Sequence, residues 1–292
     1  SALVGQWLRE GRRVIVWSRD PLQARAAFGT AVQVIERLDE LPSETRLDAV
    51  VHLAGAAVLG APWTGRRRRL LIDSRVDTAT ALVVLMRRLE QHPRVLVSAS
   101  AVGYYGVPAG MDELDESAAP EPGRFQSDLC VAVEHESRRA EALGVKVVRL
   151  RLGIVLGAEG GAYPPLALAA RLGLGAVLGG GQQPMPWIHR DDAVGLLRLA
   201  VDGAGLSGAV NAVAPDAVTQ AVFAQAMATS WGRRAWLRVP GWVVRAALGE
   251  MSELLLCGQR AVPRAALAAG YRYRHATLAS ALVDLSGGEG MR

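Results

Sequence analysis

The sequence predicts an α/β fold in which a doubly wound parallel sheet carries a small C-terminal substrate lobe. Short, apolar, β-branched runs such as Val14–Trp17 and Lys146–Leu152 alternate with helical stretches through the first half of the chain. This alternation is typical of parallel strands that helices cover on both faces. Beyond Gly153 the pattern loosens into Gly- and Pro-rich segments, which usually complete a lobe above the carboxyl edge of such a sheet.

The first elements follow this alternation. Apolar residues recur at helical spacing over Ser1–Gly11, and the final glycine suits a helix C-cap. The run Val14–Trp17 predicts a buried parallel strand because it is short, apolar and β-branched. Pro21–Phe28 then suits a short helix and Val32–Ile35 a second strand. The chain therefore begins with two helix and strand cycles.

The next elements lead to the middle of the sheet. The run Asp48–Leu53 predicts a buried strand, followed by small residues. One long amphipathic helix is expected over Gly65–Leu89, then a strand over Arg94–Val97. After a polar loop from Val107 to Gly123, a helix is expected to about Leu143, and it leads into the strand Lys146–Leu152.

Composition excludes several classes of protein. The 292 residues are 50% hydrophobic, and no apolar run of about 18 residues or signal peptide occurs, so we expect a cytoplasmic protein with no membrane partner. Cys130 and Cys257 are too few for a metal cluster or a disulfide framework. Arg66–Arg69 forms the densest basic run behind the net charge of +5, and a solvated helix face explains it. We expect no nucleic-acid partner.

A dinucleotide site is expected at the carboxyl edge of the sheet. Such sheets bind the pyrophosphate where a first strand, a Gly-rich turn and a helix N-terminus meet. Because Ser1 falls inside the helix that should follow that turn, we expect the first strand and Gly-rich loop to precede Ser1. On this basis residues 1–155 form the nucleotide-binding domain, and residues 156–292 form most of the substrate lobe, interleaved with it.

The end of the strand Val14–Trp17 indicates which cofactor is bound. A residue there meets the adenosine ribose, and an arginine can neutralise the 2′-phosphate of NADP. Ser18 and Arg19 occupy this place, with no acid before Asp20, so NADP(H) is favoured over NAD. The alternative is that Arg19 is an ordinary surface residue. The small residues of the segment Leu53, Ala54 and Gly55 would bring bare backbone against the adenine and ribose.

Several segments together resemble a known superfamily. They are VHLAGA, SASAVGYYG, RLGIVLG and GGGQQPMPWIHRDDAV. In this order the chain resembles the atypical extended short-chain dehydrogenase/reductases, often labelled epimerase-family or sugar-nucleotide-epimerase-like proteins. The resemblance implies a Rossmann-type nucleotide-binding domain and NADP(H) as cofactor. It also leaves open a homodimer formed through the helices around Gly65–Leu89 and Phe125–Leu143.

The resemblance also carries over residue roles. Ser100 matches the serine that polarises a substrate carbonyl, with Ser98 beside the cofactor, and Tyr104 and Tyr105 match the tyrosine-glycine turn. Gly153, Ile154 and Val155 match the loop at the nicotinamide, and the segment ending in His189 matches the lining of the substrate pocket.

The acid/base pair of active members is missing. They carry a tyrosine four residues before a lysine, whose ammonium lowers the pKa of the phenol. Here Gln126 and Cys130 occupy those positions, and the sole lysine, Lys146, has Ala142 four residues before it. The usual hydride-transfer mechanism is therefore excluded.

Replacement groups can be named, each with a structural alternative. Tyr104 and Tyr105 offer phenols, Asp128 a carboxylate, Cys130 a thiol and His189 an imidazole. Tyrosines in turns usually pack, buried cysteines are usually small core residues, and a histidine more often orders a loop. No histidine or cysteine spacing predicts a metal site.

Three functions remain open at the level of sequence. The first is an NADP(H)-dependent oxidoreductase acting on a small molecule, with Ser100, Tyr104, Tyr105 and His189 as candidate catalytic residues. The second is a non-catalytic NADP(H)-binding regulator or scaffold, which the missing acid/base pair favours. The third, sugar-nucleotide epimerisation, is weaker because it also needs a strong base.

Overall fold

The computed structural model describes residues 2–108, 110–203 and 205–287. Its helices are α1 (Ala2–Arg9), α2 (Pro21–Phe28), α3 (Gly65–Asp73), α4 (Val76–Arg88), α5 (Phe125–Arg138), α6 (Tyr163–Arg171), α7 (Arg190–Asp202), α8 (Gln220–Thr229), α9 (Gly241–Leu248), α10 (Glu253–Leu256), α11 (Arg264–Ala268) and α12 (Leu278–Gly287). Its strands are β1 (Ile15–Trp17), β2 (Gln33–Ile35), β3 (Ala49–His52), β4 (Val95–Ala101), β5 (Lys146–Leu152), β6 (Ile154–Gly157), β7 (Gly160–Gly161), β8 (Ala176–Leu178), β9 (Pro184–Met185), β10 (Trp187–His189), β11 (Gly208–Ala212), β12 (Val218–Thr219) and β13 (Leu237–Val239). Ser1 of the first predicted helix and residues 288–292 of the predicted lobe lie outside the described residues.

A parallel sheet forms the centre of the fold. Its four strands lie in the order β11-β5-β4-β3, and all three neighbouring pairs are parallel. β1 and β2 form a second parallel pair. Parallel pairing needs a crossover between strands, which the helices provide. The expected α/β fold with a parallel sheet is confirmed.

Helices cover both faces of this sheet. Val95 and Val97 of β4 face one hydrophobic core that includes Leu196 of α7, whereas Leu96 faces a second core that includes Met86 of α4. All of these side chains are buried. Because successive side chains of a strand point to opposite faces, the continuous apolar run serves both cores at once.

The chain leaves the central sheet after β5 and later returns to it. Short strands β6, β7 and β10 form one small sheet, and β9 with β12 and β8 with β13 form two more pairs. A separate core around Trp187, Tyr163 and Phe223 holds this part together. β11 then pairs with β5 in the central sheet, so segments after residue 155 contribute to both parts.

The long helix expected over Gly65–Leu89 is two helices in the structure. α3 ends at Asp73, and α4 begins at Val76. The hydroxyl of Ser74 accepts a hydrogen bond from the backbone N–H of Ala56 at 3.0 Å and donates one to the carbonyl of Leu71 at 3.2 Å. This contact with the loop after β3 interrupts the helix.

Within the described residues, no helix is both long enough and apolar enough to cross a lipid bilayer.

Candidate functional site

In the loop after β1, Arg19 is exposed, whereas the carboxylate of Asp20 is used within the loop. Ser18 is half-buried and Arg19 is exposed. The carboxylate of Asp20 accepts a hydrogen bond from the backbone N–H of Gln23 at 2.9 Å and caps the N-terminus of α2. A capping carboxylate satisfies one of the free N–H groups of the helix. Of the two charged side chains of this loop, Asp20 therefore caps a helix, and Arg19 does not.

The loop after β3 keeps its backbone open at the sheet edge. Leu53 is 44% exposed, although it is a large apolar residue, and Ala54 and Gly55 are also exposed. A Cβ on Gly55 would lie 2.8 Å from the guanidinium carbon of Arg75, which donates to the carbonyl of Ala56 at 2.9 Å. A side chain at position 55 would therefore displace the guanidinium that holds this loop.

Ser98 lies in a buried polar chain and does not face the cleft. It is 1% exposed, and its hydroxyl lies 3.2 Å from Nδ1 of His52 and 2.7 Å from the Ser137 hydroxyl, which donates to it. Thr78 donates its hydroxyl proton to backbone carbonyls of Ser74 and Arg75, so Nε2 of His52 donates to Thr78 and Nδ1 accepts from Ser98. Burial, with the charge of Arg75 adding, lowers the pKa of His52 to about 4, so its ring is neutral.

Ser100 is bound to a buried ion pair. Its hydroxyl donates to Oε1 of Glu134 at 2.8 Å, and Arg151 binds both oxygens of that carboxylate at 2.9 and 3.0 Å. Glu134 and Arg151 are 3% and 2% exposed. Burial alone would lower the pKa of Arg151, but the hydrogen bonds and charge of Glu134 outweigh burial and raise it. To polarise a substrate carbonyl, the Ser100 hydroxyl would have to turn away from Glu134.

The first two turns of α5 carry Gln126 and Cys130 beside this serine. Gln126 is 6% exposed, and its Nε2 has no hydrogen-bond partner in the structure. Burial raises the pKa of the Cys130 thiol to about 11. Both side chains face Gly103, where an added Cβ would lie 3.7 Å from the Gln126 amide oxygen and 3.9 Å from the Cys130 sulfur. The group nearest the turn is thus an amide, which places its oxygen toward Gly103 and has an unpartnered N–H donor among the described residues.

The two tyrosines of the turn differ in their environment. Tyr105 is 2% exposed, and its hydroxyl donates to Oδ1 of Asn211 at 2.7 Å and accepts from Arg151 at 3.0 Å. Burial raises the pKa of this phenol. Tyr104 is half-buried, and the guanidinium carbon of Arg151 lies 3.5 Å from the centre of its ring. Tyr105 is therefore committed to packing, whereas Tyr104 borders the site.

The segment Gly153–Val155 packs against the backbone of Pro186 and also borders a cavity. A Cβ on Gly153 would lie 2.7 Å from the carbonyl oxygen of Pro186, which accepts a hydrogen bond from the backbone N–H of Ile154 at 2.8 Å. Val155 and Arg190 line a cavity of about 280 Å³ that reaches Ala2, the first residue of α1.

His189 is the last residue of β10 and caps the N-terminus of α7. Its Nδ1 accepts from the backbone N–H of Asp191 at 3.1 Å, its Nε2 lies 3.4 Å from a carboxylate oxygen of Asp284, and its ring packs on His275 with centroids 3.9 Å apart. Burial, together with the charge of His275, lowers the pKa of His189. None of these contacts, within the described residues, reaches Ser100.

A buried carboxylate holds this histidine pair in place. Asp192 is 0% exposed and accepts from the Tyr271 hydroxyl at 3.0 Å and from the backbone N–H groups of Arg274 and His275 at 2.8 and 2.9 Å. Donor atoms of His189, Asp191 and His275 lie within 4.8 Å of one another, a grouping that sequence spacing did not reveal. However, Asp191 pairs with Arg190 and Arg274, and Nδ1 of His189 is already hydrogen bonded.

Most of the site residues predicted from the sequence lie near the carboxyl ends of the parallel strands. Ser100, Tyr104, Gln126 and Cys130 lie together around the turn after β4, and the loops after β1 and β3 lie at carboxyl ends of parallel strands. His189 lies apart from them, at the N-terminus of α7. Sequence reasoning missed Glu134 as the partner of Ser100, since the two belong to different elements 34 residues apart.

Comparison with known proteins identifies the family. The NAD-dependent epimerase/dehydratase family matches residues 1–212, and a domain of unknown function, DUF1731, matches residues 239–285. The first match covers more than half of the chain. The chain belongs to the NAD-dependent epimerase/dehydratase family. The resemblance expected from the sequence motifs is confirmed.

Relatives in this family extend over most of the chain. Epimerase family protein YfhF of Bacillus subtilis is 34% identical over 287 residues, which are 97% of this chain and 93% of that protein. Human epimerase family protein SDR39U1 is 35% identical over 278 residues, 94% of this chain and 92% of that protein.

Solved structures of epimerases have the same fold. The crystal structure of human SDR39U1 (isoform 2) with NADPH superposes with a TM-score of 0.87 at 32% identity and covers 98% of this chain and 95% of that one. UDP-glucose 4-epimerase of Thermotoga maritima superposes with a TM-score of 0.78 at 15% identity, covering 100% and 96%, and shows a shared fold alone. This family member thus has the Rossmann-type fold of epimerases.

Proposed function

We propose that this epimerase-family chain is an NADP(H)-binding oxidoreductase that acts on a small carbonyl or alcohol substrate. The observation that carries the proposal is the loop after β1, where Arg19 is exposed while the carboxylate of Asp20 caps α2. An exposed guanidinium suits a 2′-phosphate, and one oxygen of the Asp20 carboxylate is already used to cap α2. The structure of the SDR39U1 relative with NADPH supports the same cofactor.

The other residues at the sheet edge fit such a cofactor. The exposed segment Leu53–Gly55 offers apolar surface for an adenine and ribose, and Val155 lines a cavity with Arg190. NADPH supplies a hydride when it is bound. Ser18 would hold the loop of Arg19 in place, since its hydroxyl bonds the backbone of Asp20 at 3.0 and 3.1 Å.

The substrate oxygen would contact the amide of Gln126, at the position where active family members have a tyrosine. The proton of Ser100 is directed to Glu134, which leaves Nε2 of Gln126 as a buried donor without a partner. A buried donor of this kind costs about 1–3 kcal/mol unless a ligand satisfies it. We infer that Gln126 donates a hydrogen bond to the substrate oxygen. An amide cannot release a proton at neutral pH, so the proton that the reduced oxygen takes up comes from water.

A second candidate function is a non-catalytic NADP(H)-binding regulator or scaffold. Its support is the chemistry of the two α5 positions, where a neutral amide and a buried thiol with a pKa of about 11 stand. Neither group exchanges protons near neutral pH. Cofactor binding is common to both functions, and turnover separates them.

Cofactor choice is tested by thermal unfolding of the full-length protein with NADPH or NADH. At a concentration of 100 Kd, NADPH should stabilise the protein by about 2.7 kcal/mol, and NADH by less. Replacement Arg19→Gln should remove the difference between the two cofactors. Arg25→Gln, an exposed arginine on α2, is the matched control and should leave it intact. Equal stabilisation of the unmodified protein by both cofactors would remove the role of Arg19.

Turnover is tested by NADPH consumption against a panel of carbonyl compounds. With an active compound, Gln126→Leu should lower kcat by about 100-fold, the usual loss for one donor to a developing oxyanion. The rate of the unmodified enzyme should stay flat between about pH 6 and 9, since no acid titrates there. Full activity of Gln126→Leu would exclude the amide, and absence of turnover over the whole panel would favour the regulator.

A further inference from the structure

Two long stretches of the C-terminal lobe contain no acidic residue. No aspartate or glutamate occurs between Glu159 and Asp191 or between Asp216 and Glu250. Apart from Arg190, which pairs with Glu159 and Asp191, the two stretches carry five arginines: Arg171, Arg233, Arg234, Arg238 and Arg245. Within the described residues, none of these five forms an ion pair. Five uncompensated positive charges are therefore concentrated in these stretches.

The fold brings the two stretches together. β8 of the first pairs in parallel with β13 of the second, and α6 packs against α8. The guanidinium of Arg171 lies 5.2 Å from the ring centre of Trp231. Trp236 donates its indole N–H to the carbonyl of Gly173 at 3.0 Å, which places its ring beside the turn that follows α6.

Large apolar side chains surround this contact and face solvent. Leu172 and Leu174, on either side of Gly173, are 64% and 53% exposed, Trp236 is 69% exposed and Leu168 is 57% exposed. Exposed apolar residues that adjoin one another commonly mark an interaction surface. Together with Arg233 and Arg234, these four residues are called the basic apolar patch below.

We propose that the basic apolar patch docks on the surface of an anionic lipid bilayer. Tryptophan and leucine side chains enter the interfacial region of a bilayer, while arginines bind anionic headgroups around them. The indole N–H of Trp236 is already bonded to Gly173, so the ring can leave water without an unpaired polar group. Surface docking of this kind needs no membrane-spanning helix, and the earlier expectation of no membrane partner rested on such a span.

Other occupants fit the patch less well. A second copy of the chain meeting it face to face would set Arg233 and Arg234 against their own counterparts, and like charges repel. Nucleic acid is bound through aromatic rings that stack on bases, but three of the four apolar side chains here are leucines. An acidic protein would match the positive charge of the patch but not its apolar side chains. The vesicle experiment below distinguishes an acidic protein from a lipid surface.

The proposal does not depend on the cofactor, so it is tested without one. The full-length protein is floated with vesicles of phosphatidylcholine alone or mixed with phosphatidylglycerol. It should float with the anionic vesicles only and should be released by high salt, which screens surface charge. Replacing both Arg233→Gln and Arg234→Gln should weaken binding about 25-fold, since each arginine near an anionic surface contributes about fivefold. Trp236→Ser should weaken it as well.

Matched controls separate the patch from general charge and hydrophobicity. The double variant Arg66→Gln and Arg69→Gln removes two exposed arginines from α3, and Leu22→Ser removes an apolar side chain that is 77% exposed on α2. Both should bind as the unmodified protein does, with unchanged circular dichroism in every variant. Equal flotation with neutral vesicles, equal loss in the controls, or retention on immobilised polyglutamate without vesicle binding would overturn the proposal, the last in favour of an acidic protein.

Discussion

The hydroxyl of Ser100 and the carboxylate of Glu134 are joined by a 2.8 Å hydrogen bond at the end of β4. This bond ties the serine of the site to the buried Glu134–Arg151 pair. The serine therefore takes its orientation from an ion pair that belongs to the core as much as to the site. Its position is consequently sensitive to changes that never touch the cleft.

Removing one partner of the buried pair should destabilise the protein strongly. Glu134→Ala leaves the guanidinium of Arg151 buried without its charge partner, and such a change costs about 3–5 kcal/mol. Urea unfolding measures the loss. Glu141→Ala, just after the same helix, breaks a pair with Arg138 in which both side chains are exposed, at 45% and 60%, and should cost less than about 1 kcal/mol. Similar costs for both variants would contradict the burial argument.

The free energy of unfolding should decrease as the pH is lowered, because His52 is buried. Its pKa is lowered to about 4 in the folded protein and is about 6.5 when unfolded, so the unfolded chain binds more protons between these values. Stability from this group is complete above about pH 6.5 and is lost as pH falls toward 4, by up to about 3 kcal/mol. Urea unfolding of His52→Gln should show a shallower slope, since the lowered pKa of His189 adds a slope of the same sign. His135→Gln, which removes an exposed ring, should keep the full slope.

The two cysteines should react at different rates in the folded protein. Cys130 is 9% exposed with a thiol pKa of about 11, whereas Cys257 is only half-buried. Since the thiolate is the nucleophile, iodoacetamide at about pH 8 should modify Cys257 well before Cys130. Mass spectrometry of the labelled peptides gives both rates. Rapid labelling of Cys130 would mean that α5 opens to solvent far more readily than its packing indicates.

Replacing Gly153 by alanine should destabilise the folded protein. In Gly153→Ala the Cβ would lie 2.7 Å from the backbone oxygen of Pro186, and crowding of this kind costs about 1–3 kcal/mol. Gly160→Ala is the matched control because no atom lies within 4 Å of its added Cβ. Thermal unfolding compares the two. If both variants melt together, the close contact with Pro186 is relaxed at little cost.

Much of the fold could be predicted from apolar periodicity. The predicted strand Lys146–Leu152 agrees with β5 at both ends, and Pro21–Phe28 agrees with α2. β4 extends from Val95 to Ala101, beyond the predicted end at Val97, because its small residues pair with Arg149–Leu152 across the sheet. Local composition gives no sign of that pairing.

The limits of prediction lie in contacts between distant elements. The helix break at Ser74 depends on a hydrogen bond to Ala56, and the orientation of Ser100 depends on Glu134. Motif similarity placed Ser100 and Tyr104 at one turn, and it grouped them with His189, whose contacts are with Asp191, Asp284 and His275. Tyr105 follows Tyr104 in sequence and still differs in role, since only burial separates them.

The buried carboxylate of Asp192 also constrains the order in which the chain can fold during synthesis. Its three partners are made 79, 82 and 83 residues later. Until they leave the ribosome, α7 carries a charge that its final packing would bury without compensation. We therefore expect α7 to close over the sheet only after residues 271–275 have been made.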